Sequence, residues 1–407
     1  MSTASTASSV STASTVRTDV IVVGAGIIGA SCAFHLARRG LRVDVLEAQA
    51  APAMGSTGRS FASVRSQWAD ETNARLSWES IQTYRDPATF GQATCVGAIS
   101  NGDASGNDVG YRPTGYLLLV PDGRWEAHLD AVDLQRSLGI PVEVMSPGQA
   151  RRLTDFDPRG IGGCTWGPAD GVVDPHLVTT GYLRLARQQG ASVHRRAPVT
   201  AVRRTPGGWL VQTPEQLWGA PTVVNAAGGW AGDIAALAGL TVPVEHVRRV
   251  VFASAAQPDA PRFPMTIDVG TGVYLRSEGE RLLFGKANEA EPAGYRTDVD
   301  WAWLEPTLEV ACRRFPWLAE VPIDANACWA GTYEMTSDHR PFIGEMPGAE
   351  GWVNACGFSG HGVMQAPAVG RLVAEEVVDG RAHSIDIDPL RIERLGAGAV
   401  PRMGLTF

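Results

Sequence analysis

A chain of 407 residues is long enough for two domains around sizeable cores, and 44% apolar with 19% charged residues is an ordinary globular composition. A formal net charge of −8 argues against a nucleic-acid partner, because neutralising phosphates takes clustered Lys and Arg, and no apolar run reaches membrane-spanning length. The six cysteines make no C-x-x-C pair and have no metal-ligand spacing with His, so free thiols, no metal and a cytoplasmic location are expected.

Residues 1–17 are almost all Ser, Thr, Ala and Val, a composition that cannot bury a core and predicts a disordered tail. They lack the charged start and apolar centre of a secretory signal. From Asp19 to Glu47 the pattern is dense. Val20 to Val23 is a continuous apolar run, as in a strand buried on both faces. Gly24, Gly26 and Gly29 follow at G-x-G-x-x-G spacing, then a helical pattern to Gly40 and a second strand over 43–46 that ends at Glu47. Each part has a task. Gly24 makes the tight turn, Gly26 lets a phosphate approach the backbone, and Gly29 lets helix and strand pack closely. The helix N-terminus attracts a pyrophosphate and Glu47 can accept hydrogen bonds from a ribose, so the stretch predicts a dinucleotide site.

Residues 51–62 are too rich in Gly, Ser and Pro for a helix and read as a loop, with Arg65 and Trp68 just beyond. A helix is expected over 71–85, and a glycine-rich loop over 97–110 crosses to another domain. A strand over 111–120 and a helix over 125–138 come next, and 151–174 reads as irregular. Helical spacing returns over 176–189, followed by strands at 191–195, 199–203 and 209–212. Residues 221–230 again run from a buried strand into a glycine turn, suited to lie against the adenosine end of a cofactor. A β-rich section starts near Pro243, with strands at 247–253, 272–276 and 281–285 and a helix over 301–314. The chain returns through 329–344 and 351–362 to a last helix over 363–378. The fold class is α/β. A Rossmann-like nucleotide domain from 18–96, 151–242 and 326–390 carries an inserted antiparallel β-sheet substrate domain (α+β) from 97–150 and 243–325.

Three stretches together resemble the D-amino acid oxidase superfamily of FAD-dependent enzymes, in particular its sarcosine oxidase and dimethylglycine dehydrogenase branch. They are the N-terminal glycine motif with Glu47, the segment Gly331-Thr-Tyr-Glu-Met-Thr-Ser-Asp-His-Arg-Pro-Phe-Ile-Gly344, and Gly357-Phe-Ser-Gly-His-Gly362 with its helix. The resemblance implies a nucleotide domain of the glutathione-reductase type and a bound FAD. It places that FAD against Gly24, Gly26, Ile27, Ile28, Gly29, Glu47 and Ala48, the loop residues Ser56, Thr57, Arg59 and Ser60, and Ala227, Gly228 and Trp230. At the flavin end it implies Gly357, Gly360, His361, Gly362, Val363 and Met364, where the helix would aim its positive end at the ring. Arg65 matches an arginine that holds the substrate carboxylate, Tyr333 and Tyr274 match tyrosines of the substrate pocket, and Arg276 is a second candidate carboxylate partner. A surface salt bridge is the alternative for Arg65. Core packing is the alternative for the tyrosines and His361, and a solvated turn for Asp338, His339 and Arg340.

Some relatives attach flavin through a cysteine where Gly331 stands, others through a histidine near Thr57 where this chain has Arg59; noncovalent FAD is therefore expected. Relatives with a substrate-site lysine have it where Met364 stands, and their oxygen-activating lysine falls at Leu283, so sarcosine is a doubtful substrate. Lys286 reaches that face only if Gly285 forms a bulge. The expected activity is oxidation of the C–N bond of a small amino acid or a secondary or N-methyl amine. The alternative is a β-type subunit of a heteromeric dehydrogenase that passes electrons to a partner; a homo-oligomer stays open. A tRNA-modifying flavoprotein is weakened by the acidic balance, and NAD binding without flavin leaves the C-terminal glycine cluster unexplained.

Overall fold

The computed structural model describes residues 15–86, 88–90 and 109–396. A six-stranded sheet runs in the order Phe342–Glu345, Trp352–Cys356, Thr222–Asn225, Val20–Val23, Val43–Glu47, Ser192–Arg195, parallel throughout except at its first strand. The apolar run Val20–Val23 is buried along its whole length because both faces of this sheet are covered. Val20 and Val22 pack on the side of helices Ile27–Arg38, Pro175–Gln188 and Gly362–Val378. Ile21 and Val23 pack on the other side with Trp209, Trp218 and Trp352. That second face is roofed by a four-stranded sheet of Val16–Arg17, Leu217–Ala220, Gly208–Gln212 and Ala201–Thr205.

An eight-stranded sheet forms the other half, in the order Trp329–Met335, Glu245–Ala253, Arg281–Gly285, Val273–Glu278, Met265–Asp268, Tyr116–Pro121, Ile161–Gly167, Glu143–Met145. It is antiparallel except where Met265–Asp268 runs parallel to Tyr116–Pro121. Alternation sorts its side chains. Leu117, Leu119, Phe252, Leu275 and Phe284 share a core with Ala311 of helix Leu304–Arg314. Tyr116, Leu118 and Tyr274 face the opposite way, with Phe61 packed against them.

Several expectations are corrected. The tail expected over 1–17 is ordered at its end, where Val16–Arg17 pairs in parallel with Leu217–Ala220. The segment read as irregular over 151–174 contains strand Ile161–Gly167, whose glycines hid it. Each gives way to a neighbour: a Cβ on Gly163 would stand 2.3 Å from the Trp125 ring, and one on Gly167 would stand 2.2 Å from the Asp170 carboxylate. The strand expected over 111–120 begins at Tyr116. Strands Ile161–Gly167 and Trp329–Met335 hydrogen-bond into the eight-stranded sheet, so the segment divisions set at 151 and 326 pass through it. Most of the loop expected over 97–110, with Cys95, lies outside the described residues; the five described cysteines are free thiols. Among the described residues, no helix is long and apolar enough to cross a membrane.

Candidate active site

The turn after Val23 has the geometry that its glycines require. Gly24 sits at φ +101°, and a Cβ there would lie 2.5 Å from the Ala226 carbonyl oxygen. A Cβ on Gly29 would lie 2.0 Å from the Gly24 carbonyl oxygen, so the third glycine sets the contact between helix and turn. Gly26 gives helix Ile27–Arg38 no side-chain cap, and no acidic residue stands in its first turn. The Thr57 hydroxyl accepts the Ile27 N–H (3.2 Å). An N-terminus left this open suits an anion. Glu47 is buried; its Oε2 accepts from the Ala25 N–H (2.8 Å) and its Oε1 from the Gln49 N–H (2.7 Å). A carboxylate with about four acceptor directions keeps capacity for a ribose hydroxyl after those two bonds.

These groups open into one cavity of about 450 Å³ that extends from Glu47 to the eight-stranded sheet. Of the residues expected to hold the cofactor, all line it except Gly29, Gly357, His361 and Met364. Met364 is buried in the helix–sheet core, and Gly357 donates its N–H to Glu334 Oε2 (2.9 Å). The positions used elsewhere for covalent attachment touch each other here. A Cβ on Gly331 would stand 2.8 Å from Arg59 Cβ, while Arg59 Nη1 donates to the Ala330 carbonyl (3.2 Å). Helix Gly362–Val378 begins at the cavity wall with neither a side-chain cap nor an acid in its first turn. The glycine turn, Glu47 and two helix N-termini whose N-cap residues give no side-chain cap fit an FAD.

On the eight-stranded sheet, Tyr274 and Tyr333 line the cavity as expected. The Tyr274 ring stands edge-on to Phe61 with centroids 5.1 Å apart, and a Cβ on Gly360 would fall 2.3 Å from the Tyr333 ring. Arg65, Arg276 and His361 do not line the cavity. Arg65 is buried, lies over the Trp68 ring at 4.0 Å and donates from Nη1 to the Gln67 carbonyl (2.6 Å). Burial lowers its pKa, and the buried carboxylate of Asp170 lies in its field. Asp170 accepts from Ser66 N–H (2.8 Å), Ser66 Oγ (2.7 Å) and Gln67 Nε2 (3.1 Å), and burial pushes its carboxyl up to about 6. Arg276 is engaged by Glu278, the Ser277 carbonyl (3.2 Å) and the Phe61 carbonyl (2.9 Å). His361 packs edge-on to Trp68 at 4.7 Å, and burial with the nearby Arg65 holds its pKa well below the usual value, so the imidazole is neutral. Asp338 is buried too, in an ion pair with Arg394 (2.7 Å) rather than in a solvated turn.

Among the cavity residues that the sequence reading did not single out are Glu334 and Arg249. Glu334 accepts the Gly357 N–H, and burial pushes its carboxyl up to about 7. Arg249 reaches the cavity with its guanidinium 5.2 Å from the Tyr333 ring centroid. Alternation in Glu245–Ala253 puts Arg248 and Arg249 on opposite faces, and it is Arg249, with Val251, that shares the face lining the cavity. Lys286 lies over Trp303 at 5.5 Å and Trp303 Nε1 donates to its carbonyl (2.9 Å), whereas Leu283 packs with Val251 and Ala253. No bulge turns the lysine toward the cavity: Arg281–Gly285 pairs in continuous register with Val273–Glu278.

Comparison with known proteins gives the chain's family. Human mitochondrial sarcosine dehydrogenase is 26% identical over 394 residues, covering 91% of this chain but only 41% of that protein, so the chain spans less than half of that relative. FAD-dependent oxidoreductase domain-containing protein 1 of Xenopus laevis is 29% identical over 423 residues, 93% of this chain and 82% of that protein. Among solved structures, L-proline dehydrogenase from P. horikoshii superposes with a TM-score of 0.84 at 26% identity, over 95% of this chain and 100% of that one. Residues 19–376 match the family described as DAO, FAD dependent oxidoreductase, and the chain belongs to that family of FAD-dependent oxidoreductases.

Proposed function

We propose that this protein oxidises the C–N bond of a small amino acid or a secondary or N-methylated amine to an imine, with FAD held noncovalently. One observation carries the reading: a single cavity joins the glycine turn and Glu47 to a wall of Tyr274, Tyr333 and Arg249 on the other sheet. FAD bound there supplies a two-electron acceptor for the hydride that leaves the carbon next to nitrogen. The chain's own residues orient the amine. Tyr274 and Tyr333 form an aromatic wall, and Gly360 lets the Tyr333 ring close over the start of helix Gly362–Val378. The amine must be neutral when its hydride leaves, and Glu334 is a cavity carboxyl able to take up its proton near neutral pH. Water then hydrolyses the imine to a carbonyl product and an amine or ammonia.

Lys286 faces Trp303, which supports a dehydrogenase or slow oxidase using an acceptor other than oxygen. Turnover with an artificial dye acceptor on proline, N-methylglycine and glycine, with assay of the carbonyl product, tests the reading. Dye reduction matched by carbonyl product is expected with at least one of the three. Dye reduction without a carbonyl product would contradict C–N oxidation.

A further inference from the structure

Two neighbouring arginines on one strand have opposite surroundings. Arg248 points away from the cavity and is held by three carboxylates, Glu291 (3.1 Å), Asp298 (2.8 Å) and Asp300 (3.1 Å). Arg249, on the other face, makes no ion pair among the described residues, although the chain carries 43 acidic residues against 35 basic ones. Its Nη1 donates to the Arg248 carbonyl (3.0 Å), and its Nε is buried without a hydrogen-bond partner. The guanidinium lies over Tyr333 at 5.2 Å, and its charge also reaches the Tyr274 phenol. A buried donor on a permanent cation costs free energy unless an anion or acceptor meets it. Arg276 Nε is buried unpaired in the same way, so what sets Arg249 apart is its place on the cavity wall with no carboxylate in ion-pair reach among the described residues.

We infer that Arg249 is the anchor for the substrate carboxylate, a role the family resemblance gave to Arg65, with Arg276 the second candidate. This inference rests on the cavity being an amine-oxidising site. The planar guanidinium offers paired N–H donors to the two oxygens of a carboxylate, which lysine cannot reproduce. The phosphates of FAD are an unsuitable partner, since the glycine turn and the N-terminus of Ile27–Arg38 hold the features that bind them. Arg65 and Arg276 are each turned to protein carbonyls outside the cavity wall. The substrate class is therefore an amino acid, its carboxylate on Arg249 and its α-carbon beside Tyr274 and Tyr333.

The test is a titration of flavin-loaded enzyme with acetate and with pyrrole-2-carboxylate, non-oxidisable carboxylates, followed by the visible flavin spectrum. The wild type should show a saturable change. Arg249→Gln should weaken it by ~30-fold or more, the equivalent of losing one partner of a buried charge pair, with Arg249→Lys recovering only part. Flavin content equal to wild type shows that the variants fold. In parallel, flavin reduction by proline should fall in Arg249→Gln while reduction by pyrrolidine, which lacks the carboxylate, should not. Unchanged carboxylate affinity in Arg249→Gln, or equal losses with proline and pyrrolidine, overturns the assignment. A carboxylate titration that depends on Arg249 in an enzyme no amine reduces would leave the anion site standing and remove the amine-oxidation reading.

Discussion

Glu47 does two jobs at once, and substitution separates them. Its carboxylate accepts the Ala25 N–H at 2.8 Å and the Gln49 N–H at 2.7 Å, before any ribose is bound. Ala25 is fully buried, so in Glu47→Ala its N–H loses a charge-assisted bond with no water to replace it, at about 1.5–3 kcal/mol. Gln49 is exposed and its N–H can turn to solvent, so that loss is about 0.5–1.5 kcal/mol. The flavin-free protein should therefore lose about 2–4 kcal/mol, with a further loss in FAD affinity measured separately. Glu47→Gln keeps one oxygen acceptor for Ala25 and should lose about half as much. Urea denaturation of flavin-stripped wild type and variants measures the first quantity, and FAD titration the second. If Glu47→Ala weakens FAD binding while the flavin-free stability stays within about 0.5 kcal/mol, the carboxylate does not hold the turn and this reasoning fails.

Glu334 gives a pH signature. Its carboxyl is raised from 4.5 to about 7 in the fold, so the folded chain keeps a proton that the unfolded chain releases over that window. The stabilising contribution is complete below 4.5 and lost as pH rises through about 7; Glu334→Gln should gain on the wild type across that interval, and parallel denaturation curves would refute it. Gly360→Ala should cost about 2–5 kcal/mol, from a positive φ and a methyl driven into the Tyr333 ring, and should slow flavin reduction by amines more than it weakens FAD binding. A variant with wild-type urea midpoint and reduction rate would count against that contact. Lys286→Met should leave the rate of flavin reoxidation by oxygen unchanged, because the ammonium lies over Trp303; a collapse of that rate in stopped-flow mixing would place the lysine at the ring.

The nucleotide half was legible because local patterns there follow the physics of single elements. A strand buried on both faces reads as the unbroken run Val20–Val23, and Gly24 and Gly29 occupy positions where a side chain would strike backbone oxygen. The sheet of the other half was less legible. Strand Ile161–Gly167 reads as loop because two of its glycines answer to side chains, Trp125 from an earlier element and Asp170 in the turn that follows. The cavity wall on that sheet was hidden in the same way. Arg248 and Arg249 look alike in sequence, and only the placement of Glu291, Asp298 and Asp300 shows which one is neutralised. Arg65 looked free to bind a substrate until Trp68 and the Gln67 carbonyl were seen to hold it.

The central claim is that the cavity brings an amine's α-carbon to a flavin, and anaerobic mixing tests it most directly. Purified protein should be yellow with noncovalent FAD, released to the supernatant by acid. Under nitrogen, a panel of amino acids and N-methyl amines should contain members that bleach the flavin absorbance in a single turnover. Carboxylate-bearing amines should be favoured over their decarboxylated counterparts. Flavin that no amine on the panel bleaches, but that dithionite still reduces, would contradict the account.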